Sequence, residues 1–460
     1  MSTGGDGADP VPGLAGAVSA TSWERAPAAV RDRVVDLVAD TVAVAALGSA
    51  RPELRSLAAV HAATAPEGAA TAVGSARGWP AATAALLDGA AVAADQLQDG
   101  HREARGHPAS HIVPAVLALA GERDTGGAET LSAVLAGYEA GVRVGRAMGG
   151  TPDGVHDIGT WGALAAAAGV ARLLAPGDAA AARRALELGA AAVLLTDAGT
   201  VFAGTPGSHA FLGVSAQLGL SLGLAAVAGL EPAPGSLDRH LRRVAARAWD
   251  PAALAVDGGW PRFEVLAGYV KAHPTCAHLH GVNDAVADLV ARGVRAGDVA
   301  EVEVRVGAGA AAFAGVADGE LAARFSVPTS VAVALVTGRL DEVVMDGATV
   351  TSAPVRALAG RVRVVHDPAL DAGYPAGRPA RVRVSLAAGG QLTATADRPR
   401  GDADRAFDRA ELAAKATRLL TRRFGPAAAP DVLAAVHALA DGGTARELGT
   451  ALRRAAGGAR

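Results

Sequence analysis

The sequence predicts a mainly α-helical protein whose second domain is smaller and of α+β type. From Trp23 to about residue 266, segments such as AAVRDRVVDLVADTVAVAALG place apolar residues three and four positions apart, as amphipathic helices do. After Pro274, runs such as VAEVEVRVGAG alternate valine with charged residues, as a half-buried strand does. With 460 residues, the chain is longer than a single hydrophobic core usually supports, so we expect two domains.

The large all-helical domain is predicted over residues 17–268, where glycine or proline punctuates the helices. Residues 1–16 contain two aspartates and no basic region, so we expect a disordered leader and no signal peptide. Residues 403–460 return to the helical pattern and are predicted to pack on the large domain.

The smaller α+β lid domain is predicted over residues 269–402. A Gly389-Gly390 turn joins its last two alternating runs and indicates a β-hairpin. The other expected elements are a helix near 277–292, a strand with Val302, Val304 and Val306 buried, helices near 328–335 and 354–358, and a strand near 361–367.

The composition excludes several classes of protein. The formal charge is -3 and no basic run is present, so nucleic acid is not an expected partner. Cys276 is the only cysteine, which excludes an intramolecular disulfide and fits the cytoplasm. The uncharged stretch 210–230 is long enough to cross a membrane, but we interpret it as a buried helix or a subunit interface because Gly219 and Gly223 allow close packing.

The densest cluster of titratable residues is DQLQDGHREARGHPASH, between two apolar helices. It contains Asp95, Asp99, His101, His107 and His111. Pro108 favours an extended His107, and nearby carboxylates could orient an imidazole or raise its pKa. Helix-end, surface and buried structural roles are the alternatives for each residue. A zinc or iron site is the rival for the whole cluster, although no typical ligand spacing stands out.

Two further segments carry candidate groups. His156 precedes a helix start in GVHDIGTWGALAAAAG, where it could face a pocket or cap the helix. The segment VKAHPTCAHLHG places Lys271, Cys276 and His280 at the junction of the two domains, where ligand clefts are common. Lys271 is either a carboxylate-binding cation or a surface charge, and Cys276 is either a nucleophile or a buried thiol.

These segments resemble the MmgE/PrpD family of 2-methylcitrate dehydratases and related enzymes. The resemblance rests on D-x-x-x-D-G-H-x-x-x-x-G-H-P-x-x-H, on the element around His156, on K-A-H-P-T-C-x-x-x-H from Lys271, and on FSVPTSVAVALVTGRL from Phe325. The four motifs occur in the family's order over nearly the whole chain. The resemblance implies a large helical domain with an α+β lid, a homodimer, and acid/base chemistry without metal or cofactor.

The family motifs also imply which residues form the active site. The catalytic positions that match are Asp95, Asp99, His107, His156 and Lys271. The residues expected to contact the substrate are His101, Ser208, His209, Cys276, His280 and Thr329.

Three departures from the family pattern concern the substrate. Ser208, beside His209, stands where these enzymes commonly have a lysine or arginine, so a carboxylate clamp is missing or replaced. Thr329 occupies a position often held by tyrosine, and Cys276 one where the decarboxylase type has histidine. The sequence of the first motif is more similar to epimerase-like members of the family than to the decarboxylase or the methylcitrate dehydratase.

The resemblance implies a dehydratase-type lyase that acts next to a carboxylate of a small polycarboxylate. His107 or His156 is expected to remove a proton, Lys271 to stabilise the developing charge, and a group on the other face, His280 or the second histidine, to protonate the leaving group. An epimerase of a small dicarboxylate, a decarboxylase and an inactive relative are the alternatives.

Overall fold

The structure, a computed structural model, describes residues 9–257 and 259–458. It confirms the fold class, because helices dominate and one four-stranded sheet lies in the second domain. The helices of the first part are α1 (Val11–Ala20), α2 (Ala28–Ser49), α3 (Pro52–Thr64), α4 (Ala81–Ala93), α5 (Ala109–Arg123), α6 (Gly127–Ala147), α7 (Gly162–Leu174), α8 (Ala179–Ala191), α9 (Ala198–Phe202), α10 (Gly207–Val227) and α11 (Arg242–Ala245).

The later helices are α12 (His280–Ala291), α13 (Ala308–Ala311), α14 (Glu320–Ala323), α15 (Val327–Thr337), α16 (Gly347–Val350), α17 (Ala353–Ala359), α18 (Arg409–Phe424), α19 (Ala429–Ala438) and α20 (Ala445–Gly458). The strands are β1 (Ala70–Thr71), β2 (Gly78–Trp79), β3 (Gly100–His101), β4 (Val155–His156), β5 (Thr196–Asp197), β6 (Gly268–Tyr269), β7 (Val299–Val306), β8 (Val362–His366), β9 (Ala380–Leu386) and β10 (Gln391–Ala396).

The predicted disordered leader is wrong from Val11 onward, where α1 begins. Val11, Leu14 and Val18 are buried at helical spacing, and this apolar stripe packs against α8. Residues 1–8 of the predicted leader lie outside the described residues. The aspartates that suggested disorder therefore precede a helix that belongs to the core.

Small residues let the central helices approach closely. α10 lies along α4 and α7, and a Cβ added at Gly219 would meet the Ala166 Cβ at 2.4 Å, so glycine is required there. Within the described residues, α10 is the one helix that is long and apolar enough to cross a membrane. One side of it is in the helical core, whereas Val214 and Leu224 lie on its exposed side.

The sheet of the second domain has the strand order β10-β9-β7-β8. β7 pairs with β8 in parallel and with β9 in antiparallel orientation, and α12 and α15 pack against this sheet. The predicted hairpin is present, and Gly389 and Gly390 adopt φ values of 94° and 89° that glycine tolerates best. The C-terminal helix α18 packs along α2, and α20 packs against α5.

Two short ladders hold the segments that carry His101 and His156. β3 pairs with β6, which sets His101 opposite Gly268, and β4 pairs with β5, which sets His156 opposite Thr196. Each ladder has only two residues per strand, too few for an alternating pattern to show in the sequence.

Buried ion pairs fix the two domains against each other. The side chain of Arg324 is fully buried, and its guanidinium donates to Asp95 Oδ1 at 3.0 Å and to the carbonyl oxygens of Pro274 and Met345 at 3.1 and 3.2 Å. Arg102 donates to both carboxylate oxygens of Asp402 at 3.1 Å. Burial alone would raise the pKa of Asp95, but Arg324 and Arg51 hold it below its usual value.

We predict that Asp95→Asn strongly destabilises the protein, because it removes the buried counter-charge of the Arg324 guanidinium and leaves only the more exposed and more distant Glu320. The expected loss is about 3–5 kcal/mol in the free energy of unfolding, measured by urea denaturation. The matched control is Asp288→Asn, which removes an exposed pair with Arg292 on α12 and should cost less than about 0.5 kcal/mol. Equal losses in the two variants would contradict the importance of the buried pair.

Candidate active site

A cleft of about 290 Å³ lies between the two domains. The helical domain contributes loop residues 105–107 and 150–158, together with Gln96 and His101. The second domain contributes residues 276–278 and the side chains of Phe325, Tyr374 and Arg378. The cleft therefore brings together parts of all three segments in which the sequence predicts chemistry.

Asp99 positions His107 from behind the cleft wall. Its carboxylate accepts hydrogen bonds from the Ala109 N–H at 3.1 Å and the Ser110 hydroxyl at 3.3 Å, at the start of α5. Its backbone carbonyl lies 2.5 Å from His107 Nδ1. Burial raises the pKa of the Asp99 carboxyl to about 7. Asp99 thus fixes the loop and the ring, and it is not among the residues that line the cleft.

His107 reaches the cleft as a neutral imidazole. A carbonyl oxygen can only accept a hydrogen bond, so Nδ1 of His107 carries the proton and Nε2 keeps its lone pair. Burial and the charge of Lys271 lower the pKa of His107 to about 3. The ring is therefore neutral at neutral pH, and its Nε2 is free to accept a proton, as a general base requires.

His156 lies on the same cleft beside Asp157. Its Nδ1 is 2.9 Å from Asp157 Oδ1, and its ring packs edge-on against Phe202 with a centroid separation of 5.1 Å. Burial alone would raise the pKa of Asp157, but the charge and hydrogen bond of His156 lower it to about 2. Asp157 is therefore ionised and gives His156 a fixed anionic neighbour.

Lys271 is fully buried behind the cleft wall. Its Nζ donates to Gln96 Oε1 at 3.2 Å and to Gln98 Oε1 at 3.4 Å, and Gln96 lines the cleft. Burial lowers the pKa of Lys271 to about 7. The lysine affects the cleft in two ways: its charge lowers the pKa of His107, and its ammonium group holds Gln96 on the wall.

Two predicted substrate contacts line the cleft, and a third lies behind it. His101 is buried on the wall, its Nδ1 accepts the Ala104 N–H at 3.2 Å, and burial lowers its pKa to about 4. Cys276 is also on the wall, and burial raises the pKa of its thiol, which keeps it protonated. His280 is buried behind the wall, with Nε2 3.4 Å from the Thr275 carbonyl oxygen.

Four of the predicted residues are not brought to the cleft. Asp95 is in the interdomain ion pairs, and the Ser208 hydroxyl donates to the Thr205 carbonyl at 2.8 Å. His209 faces a second hollow of about 560 Å³ lined by Arg51 and Arg324. The hydroxyl of Thr329 accepts the Ala317 N–H at 3.0 Å and lies at the start of α15.

The structure adds cleft residues that the sequence analysis did not select. Asp157 directly follows His156, so the His-Asp pair could have been found from adjacency alone. Arg105 lies inside the first motif, among the carboxylates and histidines that were selected there. Tyr374 and Arg378 belong to a loop before β9 that has no periodic pattern. Among the described residues, no group of three or more His, Cys, Asp or Glu side chains is arranged to hold a metal ion.

The buried His111 makes stability depend on pH. It packs beneath Trp161 with a ring separation of 6.4 Å, and burial lowers its pKa to about 4, against about 6.5 in an unfolded chain. Between these values the unfolded state binds an extra proton. The contribution of the neutral His111 to the free energy of unfolding is therefore complete above about pH 6.5 and is lost as the pH falls toward 4.

We therefore predict that His111→Gln reduces the loss of unfolding free energy between pH 7 and pH 5, measured by urea denaturation at both values. The comparison uses the difference between the two pH values, so a uniform destabilisation cancels. His437→Gln, on the exposed face of α19, should keep the wild-type dependence. An unchanged dependence in His111→Gln would show that this ring does not resist protonation.

Comparisons with known proteins agree with this architecture. The MmgE/PrpD N-terminal domain matches residues 13–240, and the MmgE/PrpD C-terminal domain matches residues 273–441. A cis-aconitate decarboxylase-like protein of Aspergillus oryzae is 34% identical over 158 residues, which are 32% of this chain and 33% of that protein. Cis-aconitate decarboxylase of Aspergillus terreus is 31% identical over 156 residues, 32% of either chain. These alignments span only about a third of the length of each relative. The two domain matches cover most of the chain, and the chain therefore belongs to the MmgE/PrpD family.

Proposed function

We propose that the protein is a cofactor-independent hydro-lyase for a small polycarboxylate. It removes a proton from the carbon next to a carboxylate, and a hydroxyl on the neighbouring carbon leaves as water. One observation carries the proposal: the Asp99 carbonyl holds His107 in the tautomer whose free Nε2 lone pair is available in the cleft. Family membership supports acid/base chemistry on small acids.

The proton moves from the α-carbon to Nε2 of His107, and the C–H electron pair is delocalised into the adjacent carboxylate. The resulting imidazolium keeps its Nδ1–H on the Asp99 carbonyl. Cations stabilise the doubly charged aci-carboxylate that develops. Lys271 contributes its positive charge from behind Gln96, and cleft arginines contribute from the wall.

We assign the departure of the hydroxyl to His156. It lines the same cleft as His107, whereas His280, the alternative acid, is buried behind the wall. The electron pair of the aci-carboxylate forms the carbon–carbon double bond, the C–O bond breaks, and a proton from His156 completes the water. Exchange with solvent then returns a proton to His156 and removes one from His107.

Decarboxylation is the second candidate because the two relatives described above carry that activity in their names. In that reaction the carbon–carbon bond to a carboxylate breaks, CO₂ leaves, and a histidine protonates the carbanion. Epimerisation needs a second proton donor on the opposite face, a role that His156 also fits. Product analysis separates the three reactions.

The cytoplasmic location and the homodimer remain predictions. The half-exposed apolar side of α10, with Val214 and Leu224, supports association with a second copy of the chain.

We predict that the wild-type protein, given a panel of 2-hydroxy di- and tricarboxylates in D₂O, exchanges the α-proton and forms an unsaturated acid. His107→Gln should lower this rate by about 10²–10⁴-fold, because a positioned general base contributes that much. Proton NMR measures exchange, and absorbance of the conjugated product measures dehydration. Headspace CO₂ from unsaturated tricarboxylates reports decarboxylation.

The control is His437→Gln, an exposed histidine far along the chain on α19, which should leave all rates at the wild-type value. Undiminished exchange in folded His107→Gln would remove His107 from the mechanism. Absence of exchange, water loss and CO₂ release across the panel would favour the inactive relative.

A further inference from the structure

Two guanidinium groups of the cleft have no acidic partner among the described residues. Arg105 and Arg378 both line the cleft, and neither side chain makes an ion pair or a hydrogen bond within that part of the chain. Neighbouring arginines are paired, as in Arg102 with Asp402 and Arg247 with Asp153. The excess positive charge of the cleft therefore comes from Arg105 and Arg378.

Local backbone structure directs Arg105 toward the cleft. Its φ is 53°, in the left-handed region that side-chain-bearing residues seldom adopt. A Cβ at Gly150 would meet the Arg105 Nη1 atom at 2.6 Å, so the glycine leaves room for the guanidinium. Backbone strain of about 1–3 kcal/mol persists only where surrounding structure enforces it, and it clusters at ligand sites.

Arg378 approaches from the second domain. Its guanidinium carbon is 5.8 Å from the centre of the Tyr374 ring, and that of Arg105 is 5.1 Å from the same centre. The Nε atoms of both arginines are buried without a hydrogen-bond partner. Two cations thus flank one aromatic ring from different domains.

Both arginines are partly buried. A partly buried guanidinium without a counter-charge is unfavourable, and a doubly charged anion between two of them would reduce that cost at both. Arginine also binds carboxylates through two parallel hydrogen bonds, which fixes their orientation. Arg105 and Arg378 are therefore the cleft cations that such an anion would meet without having to displace an acidic partner.

We infer that Arg105 and Arg378 determine specificity by each holding one carboxylate of the same substrate, so that the substrate bridges the two domains. This inference rests on the proposed function, because it concerns the same cleft. A monocarboxylate can satisfy only one of the two guanidinium groups and should bind weakly.

Isothermal titration calorimetry with unreactive acids tests the inference without catalysis. Succinate, glutarate and tricarballylate are compared with propionate on the wild type, Arg105→Gln, Arg378→Gln and Arg378→Lys. At least one polycarboxylate should bind the wild type about 10- to 100-fold more tightly than propionate, as expected for one additional charge-assisted pair. Each glutamine variant should lose most of that advantage, and Arg378→Lys should retain part of it.

Arg381→Gln is the matched control, because Arg381 is an exposed arginine on β9 three residues beyond Arg378 and does not line the cleft. It should bind all four acids as the wild type does. Circular dichroism and melting temperatures establish that each variant is folded, and the lysine variant tests Arg378 with its charge intact.

Equal affinity for propionate and all the polycarboxylates, or full polycarboxylate affinity in both glutamine variants, would overturn the inference. The binding measurement and the activity measurement can fail separately. If polycarboxylate binding depends on both arginines but no proton exchange occurs, the lyase proposal is refuted and the inference about the arginines stands. If exchange depends on His107 but the affinities do not depend on the arginines, the inference is refuted and the lyase proposal stands.

Discussion

The buried guanidinium of Arg324 is the contact on which the cleft depends. It bonds the Asp95 carboxylate and backbone carbonyl in the helical domain, and the Pro274 and Met345 carbonyls in the second part of the chain. The carbonyl of Arg324 in turn accepts the Cys276 N–H at 2.8 Å, which holds residues 276–278 on the cleft wall. Since a buried charge is tolerated only with such compensation, the two domains are held in one relative position. The polar residues that meet in the cleft depend on that position.

Burial controls the protonation states around the cleft, and it drives several groups in the same direction. It lowers the pKa of His101 to about 4 and that of Lys271 to about 7, and it raises the pKa of Asp99 to about 7. Each shift favours the neutral form, because a charge loses hydration in the interior. Arginine resists this neutralisation. An incoming anion therefore encounters Arg105 and Arg378 as permanent charges, whereas Lys271 is only partly charged at neutral pH.

The sequence was sufficient for the fold class, because three-and-four spacing and valine alternation report directly on which faces are buried. It also selected His107 and His156, because their density of polar neighbours is unusual in an apolar chain, and both line the same cleft. It could not separate a catalytic carboxylate from a structural one. Asp95 was therefore predicted in the site, although its carboxylate forms a buried ion pair with Arg324. Arg378 was not found, because its contribution depends on a contact between loops distant in the chain, and local patterns carry no information about such contacts.

The cations near the cleft disfavour protonation of His107, whereas a bound polycarboxylate favours it. In the empty cleft, burial and Lys271 make protonation of His107 unfavourable, so the ring stays neutral but is a weak base. In the proposed reaction, a bound polycarboxylate places negative charge next to the ring and opposes Lys271, which raises the affinity of Nε2 for a proton. The same cations then stabilise the charge that forms on the substrate carboxylate when the proton leaves. Binding of a polycarboxylate therefore strengthens the base at a position where cations can stabilise the product of proton removal, and a substrate with fewer carboxylates would lose part of this effect.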